Sequence, residues 1–210
     1  MLENVQVLCH SSILINKQKT IYIDPFKIKV NRNDADIIFI THDHYDHYSE
    51  EDIAKVRKEN SIIVAPVNLA EKLMNIGFNR KNIILVEPNN IYNIEQIKIR
   101  TIPSYNVGKK FHPKENNWVG YILEIESISY YIPGDTDLTP ENRKIKCDVA
   151  FVPVGGIYTM NSEEAAELVN EIKPKIAIPI HYGEVVGTKE DAIDFVRRVS
   201  KDIKCEILIR

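Results

Sequence analysis

The opening of the chain alternates apolar and polar positions. "VQVLCHSSILINKQKTIYIDPF" is rich in β-branched residues, and a polar pause at Asn16 to Lys19 predicts strands joined by tight turns. "DADIIFITH" breaks the alternation with a continuous apolar run, the pattern of a strand buried on both faces. "SEEDIAKVRKEN" follows as a predicted helix, with Ser49 as cap and acids in its first turn. "SIIVAP" reads as a strand, "VNLAEKLMNIG" as a helix ended by Gly77, and "IYNIEQIKIRTIPS" as renewed alternation. "WVGYILEIESISYYIPGDTD" predicts a hairpin turning at Glu126 and Ser127.

The last third changes rhythm. "CDVAFVPVGG" is a buried strand followed by a glycine loop. "NSEEAAELVNEIKP" puts Ala165, Leu168, Val169 and Ile172 on one helical face and stops at Pro174. "KIAIPIHYG" is a strand. "TKEDAIDFVRRVS" is a helix capped by Thr188 with Ala192, Phe195, Val196 and Val199 inward, and "CEILI" closes as a strand. A β-rich opening followed by strand and helix alternation predicts an α/β protein. Two sheets face to face with helices outside would cover every apolar strand.

Composition narrows the class. At 210 residues, with no repeat or linker, the chain reads as one domain, residues 1–210. A net charge of −3 argues against nucleic acid as a partner. No apolar run reaches the length of a membrane span, and the N-terminus lacks the regions of a secretory signal, so a soluble cytoplasmic protein is expected. Cys9, Cys147 and Cys205 are odd in number and widely spaced, and predict buried, reduced thiols rather than disulfides.

Candidate chemistry concentrates in "THDHYDH", which holds three of the six histidines of the chain. In extended backbone, His42 and His44 point the same way and can reach one metal. Asp46 and His47, nearer the turn into the helix, can serve a second. Imidazole and carboxylate donors suit zinc, with manganese or iron as alternatives, at one or two ions per chain. Asp135 and His181, each at the end of an apolar strand, are further candidate ligands. As alternatives, Asp135 reads as a turn or cap residue and His181 as a hydrogen-bonded core histidine.

With these residues in view, the chain resembles the metallo-β-lactamase-fold hydrolases. "THDHYDH" matches the HxHxDH motif, "IYIDPF" an early strand carrying Asp24, "IPGDTD" the strand-end Asp, and "IPIHYG" the final His. "HDHYDH", "HSS" and "GDTD" are most similar to the branch of ascorbate-6-phosphate lactonase and N-acylphosphatidylethanolamine phospholipase D. The resemblance implies an αβ/βα sandwich of two mixed sheets with outer helices, and a dinuclear site. It implies that Asp24 orients a ligating imidazole. It also implies an early turn near the site, in which His10 would orient a ligand or contact substrate, although Cys9 stands where the family has glycine. One departure is clear. "TIPSYN" places Ser104, Tyr105 and Asn106 where a middle His ligand is expected, and the next histidine is His112. Three alternatives stay open: more water on the first metal, a His112 that folds back, or one metal held by Asp46, His47, Asp135 and His181.

The expected activity is metal-dependent hydrolysis of an ester, lactone or phosphodiester of a small molecule by a metal-bound hydroxide. Asp43 and Asp46 are the candidate catalytic carboxylates, Asp43 for orienting the hydroxide or moving its proton. A nuclease of the same superfamily and a non-catalytic metal scaffold are the competing classes. A redox role would need a partner domain that the chain lacks. "VGKKFHPK" gathers Lys109, Lys110, His112 and Lys114, with Tyr105 and Trp118 flanking, and predicts contact with a phosphorylated substrate. Metal identity, natural substrate and oligomeric state are not readable from these residues.

Overall fold

A computed structural model describes residues 1–209, which divide into two compact units, residues 2–87 and residues 88–209 with Met1.

The first unit is a six-stranded mixed sheet in sequence order. β1 (Val5–Cys9), β2 (Ser12–Asn16) and β3 (Thr20–Ile23) form an antiparallel meander; β4 (Ala35–Phe39), β5 (Arg57–Pro66) and β6 (Ile83–Val86) continue parallel to β3. α1 (Glu50–Val56) and α2 (Ala70–Asn75) connect the parallel strands. Ile53, Val56, Leu69 and Leu73 pack with Tyr22, Ile38, Ile63 and Ala65 in one core. Ile37 and Phe39, which alternate with Ile38 along β4, are equally buried, and this accounts for the unbroken apolar run. Ser49 caps α1 as predicted, its hydroxyl accepting from Asp52 N–H.

The second unit is a seven-stranded mixed sheet, again in sequence order. β7 (Ile91–Ile94), β8 (Ile97–Pro103), β9 (Val119–Ile125) and β10 (Ile128–Ile132) are antiparallel. β11 (Val149–Pro153), β12 (Ile176–Ile180) and β13 (Lys204–Cys205) run parallel to β10. α3 (Ser162–Ile172) and α4 (Lys189–Arg198) cover one face. The predicted residues Ala165, Leu168, Val169 and Ile172 of α3, and Ala192 and Phe195 of α4, are buried there with Ala150, Val152 and Ala177. Asn161 and Glu164 close a reciprocal capping box on α3.

Several boundaries differ from the sequence pattern. The helix predicted through Asn60 stops at Val56. Arg57 instead pairs with Ala35 in β5, and its guanidinium donates to the Ile76 carbonyl and lies over the Phe78 ring. These tertiary contacts override a helix-favouring local sequence. The alternation from Ile91 to Pro103 hides a two-residue turn at Glu95–Gln96. Both residues have positive φ, as do Glu126 and Ser127 in the predicted hairpin, with no Gly or Asn at any of the four positions. β6, the apolar run Ile83–Val86, is a strand beyond those predicted, and "CEILI" contributes only Cys205 to β13. The three cysteines form no disulfide among the described residues and are half-buried, not fully buried. No helix among the described residues is long and apolar enough to cross a membrane.

Asp148 ties β10, β11 and β12 together. Its carboxylate accepts from Ser129 N–H and Oγ and pairs with Lys175 at 2.8 Å. Lys175 and these hydrogen bonds hold its pKa down to about 2. A depressed folded-state pKa stabilises the fold above the unfolded value of about 4, and that contribution is lost as pH falls toward 2. Asp148→Asn should therefore cost roughly 1–2 kcal/mol at pH 7 and almost nothing at pH 2. Denaturant titrations of both proteins across that range test this, and a pH-independent difference would refute it.

Candidate metal centre

In the first unit the candidate residues gather at the C-terminal ends of β3 and β4, where Asp24 sets the local structure. Its buried carboxylate accepts from Thr41 N–H at 2.8 Å, Thr41 Oγ1 at 2.7 Å and His47 Nδ1 at 2.7 Å. Burial pushes the Asp24 carboxyl above its ordinary range, while His47 and Thr41 pull it back. Proton accounting then assigns two tautomers. With Asp24 accepting, His47 carries its proton on Nδ1. Thr41 has one hydroxyl proton, given to Asp24, so its 2.9 Å contact with His42 Nδ1 requires the imidazole to donate. In their neutral forms His42 and His47 both then present a lone pair at Nε2, the state a metal ligand needs. The His42 ring lies 4.0 Å from that of His47 and 4.8 Å from that of His44, centroid to centroid. Asp46 Oδ2 lies 3.6 Å from His47 Nε2 and 3.4 Å from His10 Nε2. Asp43 turns elsewhere and pairs with Lys72 of α2 at 3.0 Å.

In the second unit, Asp135 follows β10 and His181 follows β12. Asp135 Oδ2 lies 3.0 Å from His181 Nε2 and 3.8 Å from His112 Nε2. His112 is thus buried beside Asp135, although the basic loop that carries it is largely exposed. The fold-back depends on Asn106. Asn106 N–H donates to the His112 carbonyl at 2.8 Å, and its Oδ1 accepts from His112 N–H at 3.1 Å. The His112 ring then packs on Trp118, with centroids 4.8 Å apart. The segment that lacks the expected histidine therefore supplies the residue that pins a later one. Sequence reasoning missed this role of Asn106. The available signal was an Asn six residues ahead of a histidine with Gly108 between them.

The lysines of this loop are engaged within the unit. Lys109 pairs with Asp137 at 2.6 Å, and Lys114 pairs with Glu141 at 2.8 Å. Tyr105 and Trp118, read as an apolar wall, are buried, and the Tyr105 hydroxyl donates to Glu141. The charge expected to recognise phosphate is largely neutralised, with Lys110 exposed beside it.

Backbone strain marks the same residues. Of the non-glycine residues with positive φ, His10, Asp24 and His181 are buried, and the others lie in exposed turns. Left-handed backbone costs an L-residue on the order of 1 kcal/mol and persists where packing over-determines it.

The donors fit a metal. Around an ion with bonds of about 2.0–2.1 Å, neighbouring tetrahedral ligand atoms sit roughly 3.3 Å apart. The Asp–His separations within each unit, from 3.0 to 3.8 Å, bracket that edge, and three of them are too long for good hydrogen bonds. His10, His42, His44, Asp46 and His47 in one unit, and His112, Asp135 and His181 in the other, are the candidate ligands.

Comparison with known proteins agrees with this chemistry. The model of the beta-lactamase superfamily domain matches residues 4–181. A UPF0173 metal-dependent hydrolase of Thermococcus kodakarensis is 30% identical, with 98% of this chain and 95% of the relative covered. One from Thermoplasma acidophilum is 31% identical over 86% of this chain and 84% of its own. A solved structure from Parabacteroides distasonis, 28% identical, superposes with a TM-score of 0.81, covering 97% of this chain and 91% of that one. Igni18, a metallo hydrolase from Ignicoccus hospitalis, shares the fold at a TM-score of 0.80 with 21% identity, over 97% and 93% of the two chains. A buried His and Asp donor set on two mixed sheets with flanking helices is the fold and chemistry of a metallo-β-lactamase-type hydrolase. The chain belongs to the beta-lactamase superfamily, among the UPF0173 metal-dependent hydrolases.

Gly155 holds His181 in place. A Cβ there would lie 2.5 Å from the His181 carbonyl oxygen and 3.3 Å from its Nδ1. Gly155→Ala should destabilise the protein by about 1–3 kcal/mol through displacement of that backbone. Urea unfolding reads the cost, and a neutral substitution would refute the constraint.

Proposed function

We propose that residues 1–210 act as one hydrolase domain whose buried histidines and aspartates hold one or two divalent ions, zinc first among the candidates. His42, His44, Asp46 and His47, with His10 beside them, are the proposed ligands of the first unit. His112, Asp135 and His181 are those of the second. His112 takes the place of the missing middle histidine. The observation that carries the reading is the Asp135 carboxylate with His112 and His181 in a buried cluster.

A bound divalent ion supplies an acidified water and an electrophilic contact for the oxygen on which charge develops. The chain's own groups do the rest. Asp24 holds the His47 proton on Nδ1 and keeps Nε2 available. Thr41 does the same for His42. Asp46, a proposed ligand through the Oδ2 that faces His10 and His47, is also the proposed proton-holding carboxylate through its other oxygen. Asp43, paired with Lys72, anchors the motif loop. The substrate is a small molecule with an ester, lactone or phosphodiester bond, as the branch resemblance suggests.

Metal analysis and turnover of ester, lactone and phosphodiester panels test the assignment. His112→Ala and Asp135→Ala should each remove bound metal and abolish hydrolysis. Asp24→Ala should weaken metal binding about 10–100-fold through loss of imidazole orientation. Full metal content in His112→Ala would return the centre to a set without that residue.

A further inference from the structure

Two loops of the second unit are stitched together next to His112. The Lys109 ammonium uses its three donors on Asp137 Oδ1 at 2.6 Å, the Thr159 carbonyl at 2.7 Å and the Gly156 carbonyl at 3.3 Å. Asn106, which pins His112, also donates from Nδ2 to the Tyr158 carbonyl at 2.9 Å. Phe111, the neighbour of His112, meets Tyr158 edge to face at 4.6 Å. Loops 106–112 and 155–160 are therefore held by the same residues that place a candidate ligand.

Beside the exposed Lys110, three of the side chains they show to solvent are apolar. Val107 is 58% exposed, Phe111 45% and Ile157 60%. Lone exposed apolar residues need no explanation, but three on two stitched loops beside a hydrolytic centre do. Lys109 spends its charge internally and so works as a clamp, not as an anion receptor. Lys114 is spent likewise on Glu141.

We infer that Val107, Phe111 and Ile157, held by the Lys109 clamp, form a specificity wall for an apolar acyl or aryl group of the substrate. The inference rests on the hydrolase reading and gives its substrate class: a small molecule with an apolar arm, in place of a phosphorylated one. Tyr158 backs Phe111, and Asn106 couples wall to ligand.

Straight-chain carboxylates from acetate to octanoate, titrated calorimetrically into the metal-loaded protein, test the wall without turnover. Affinity should rise about two- to fourfold per methylene, the gain from burying part or all of each group. Phe111→Ser and Ile157→Ser, both at exposed positions, should flatten that slope and leave metal content unchanged. A matched p-nitrophenyl ester series should show the same loss of chain-length preference in kcat/KM, with acetate turnover kept. A flat slope in the unmodified protein, or an unchanged slope in both variants, overturns the wall. Loss of all hydrolysis with a retained chain-length slope would sink the hydrolase reading while keeping the wall.

Discussion

The buried carboxylate of Asp24 is the constraint from which the first unit's chemistry follows. A buried carboxylate must be satisfied by donors or neutralised. Here the donors are the backbone and hydroxyl of Thr41 and the ring of His47. Asp24 and Thr41 follow the ends of β3 and β4, and His47 returns from the turn beyond β4, so the pairing of β3 and β4 becomes a proton arrangement on two imidazoles. The sheet does not merely carry the histidines. It decides which nitrogen of each is protonated.

The second unit solves a similar problem differently. Its donors come from loops after β8, β10 and β12, and loops need tethers. Asn106 and Lys109 supply them, with Ser104 donating to the Asp135 carbonyl at 2.7 Å. The left-handed backbone at His181 is kept because Gly155 leaves room for its carbonyl. Strain that would relax in an exposed turn is locked by packing, the condition under which it is retained at functional sites.

Most of the fold was legible in the sequence because its strands are apolar runs or clean alternations and its helices carry caps. The legible part of the site was the part with local spacing, "THDHYDH", together with strand ends that expose one Asp or one His. What stayed hidden is non-local. Arg57 leaves the helical pattern because of Ile76 and Phe78, and Glu95–Gln96 turn without a turn residue. The place of His112 depends on Asn106 and Trp118, whose separate hydrogen-bonding and packing roles no periodicity encodes. The lysine-rich loop misled for a related reason. Composition counts charges, whereas recognition depends on charges not already paired, and Asp137 and Glu141 lie too far along the chain to be matched with Lys109 and Lys114 by inspection.

The two units converge on one local design. In each, a single carboxylate oxygen lies near the Nε2 atoms of two histidines: Asp46 with His10 and His47, and Asp135 with His112 and His181. A buried carboxylate is costly unless charge or donors compensate it. Three of these four separations lie beyond the usual N–H···O range, and the fourth, Asp135 to His181 at 3.0 Å, lies within it. A cation beside such a pair would favour the ionised carboxylate and use the nitrogen lone pairs of the imidazoles. The repeated carboxylate and imidazole geometry is a physical reason, independent of family, to read each cluster as a candidate set of metal ligands.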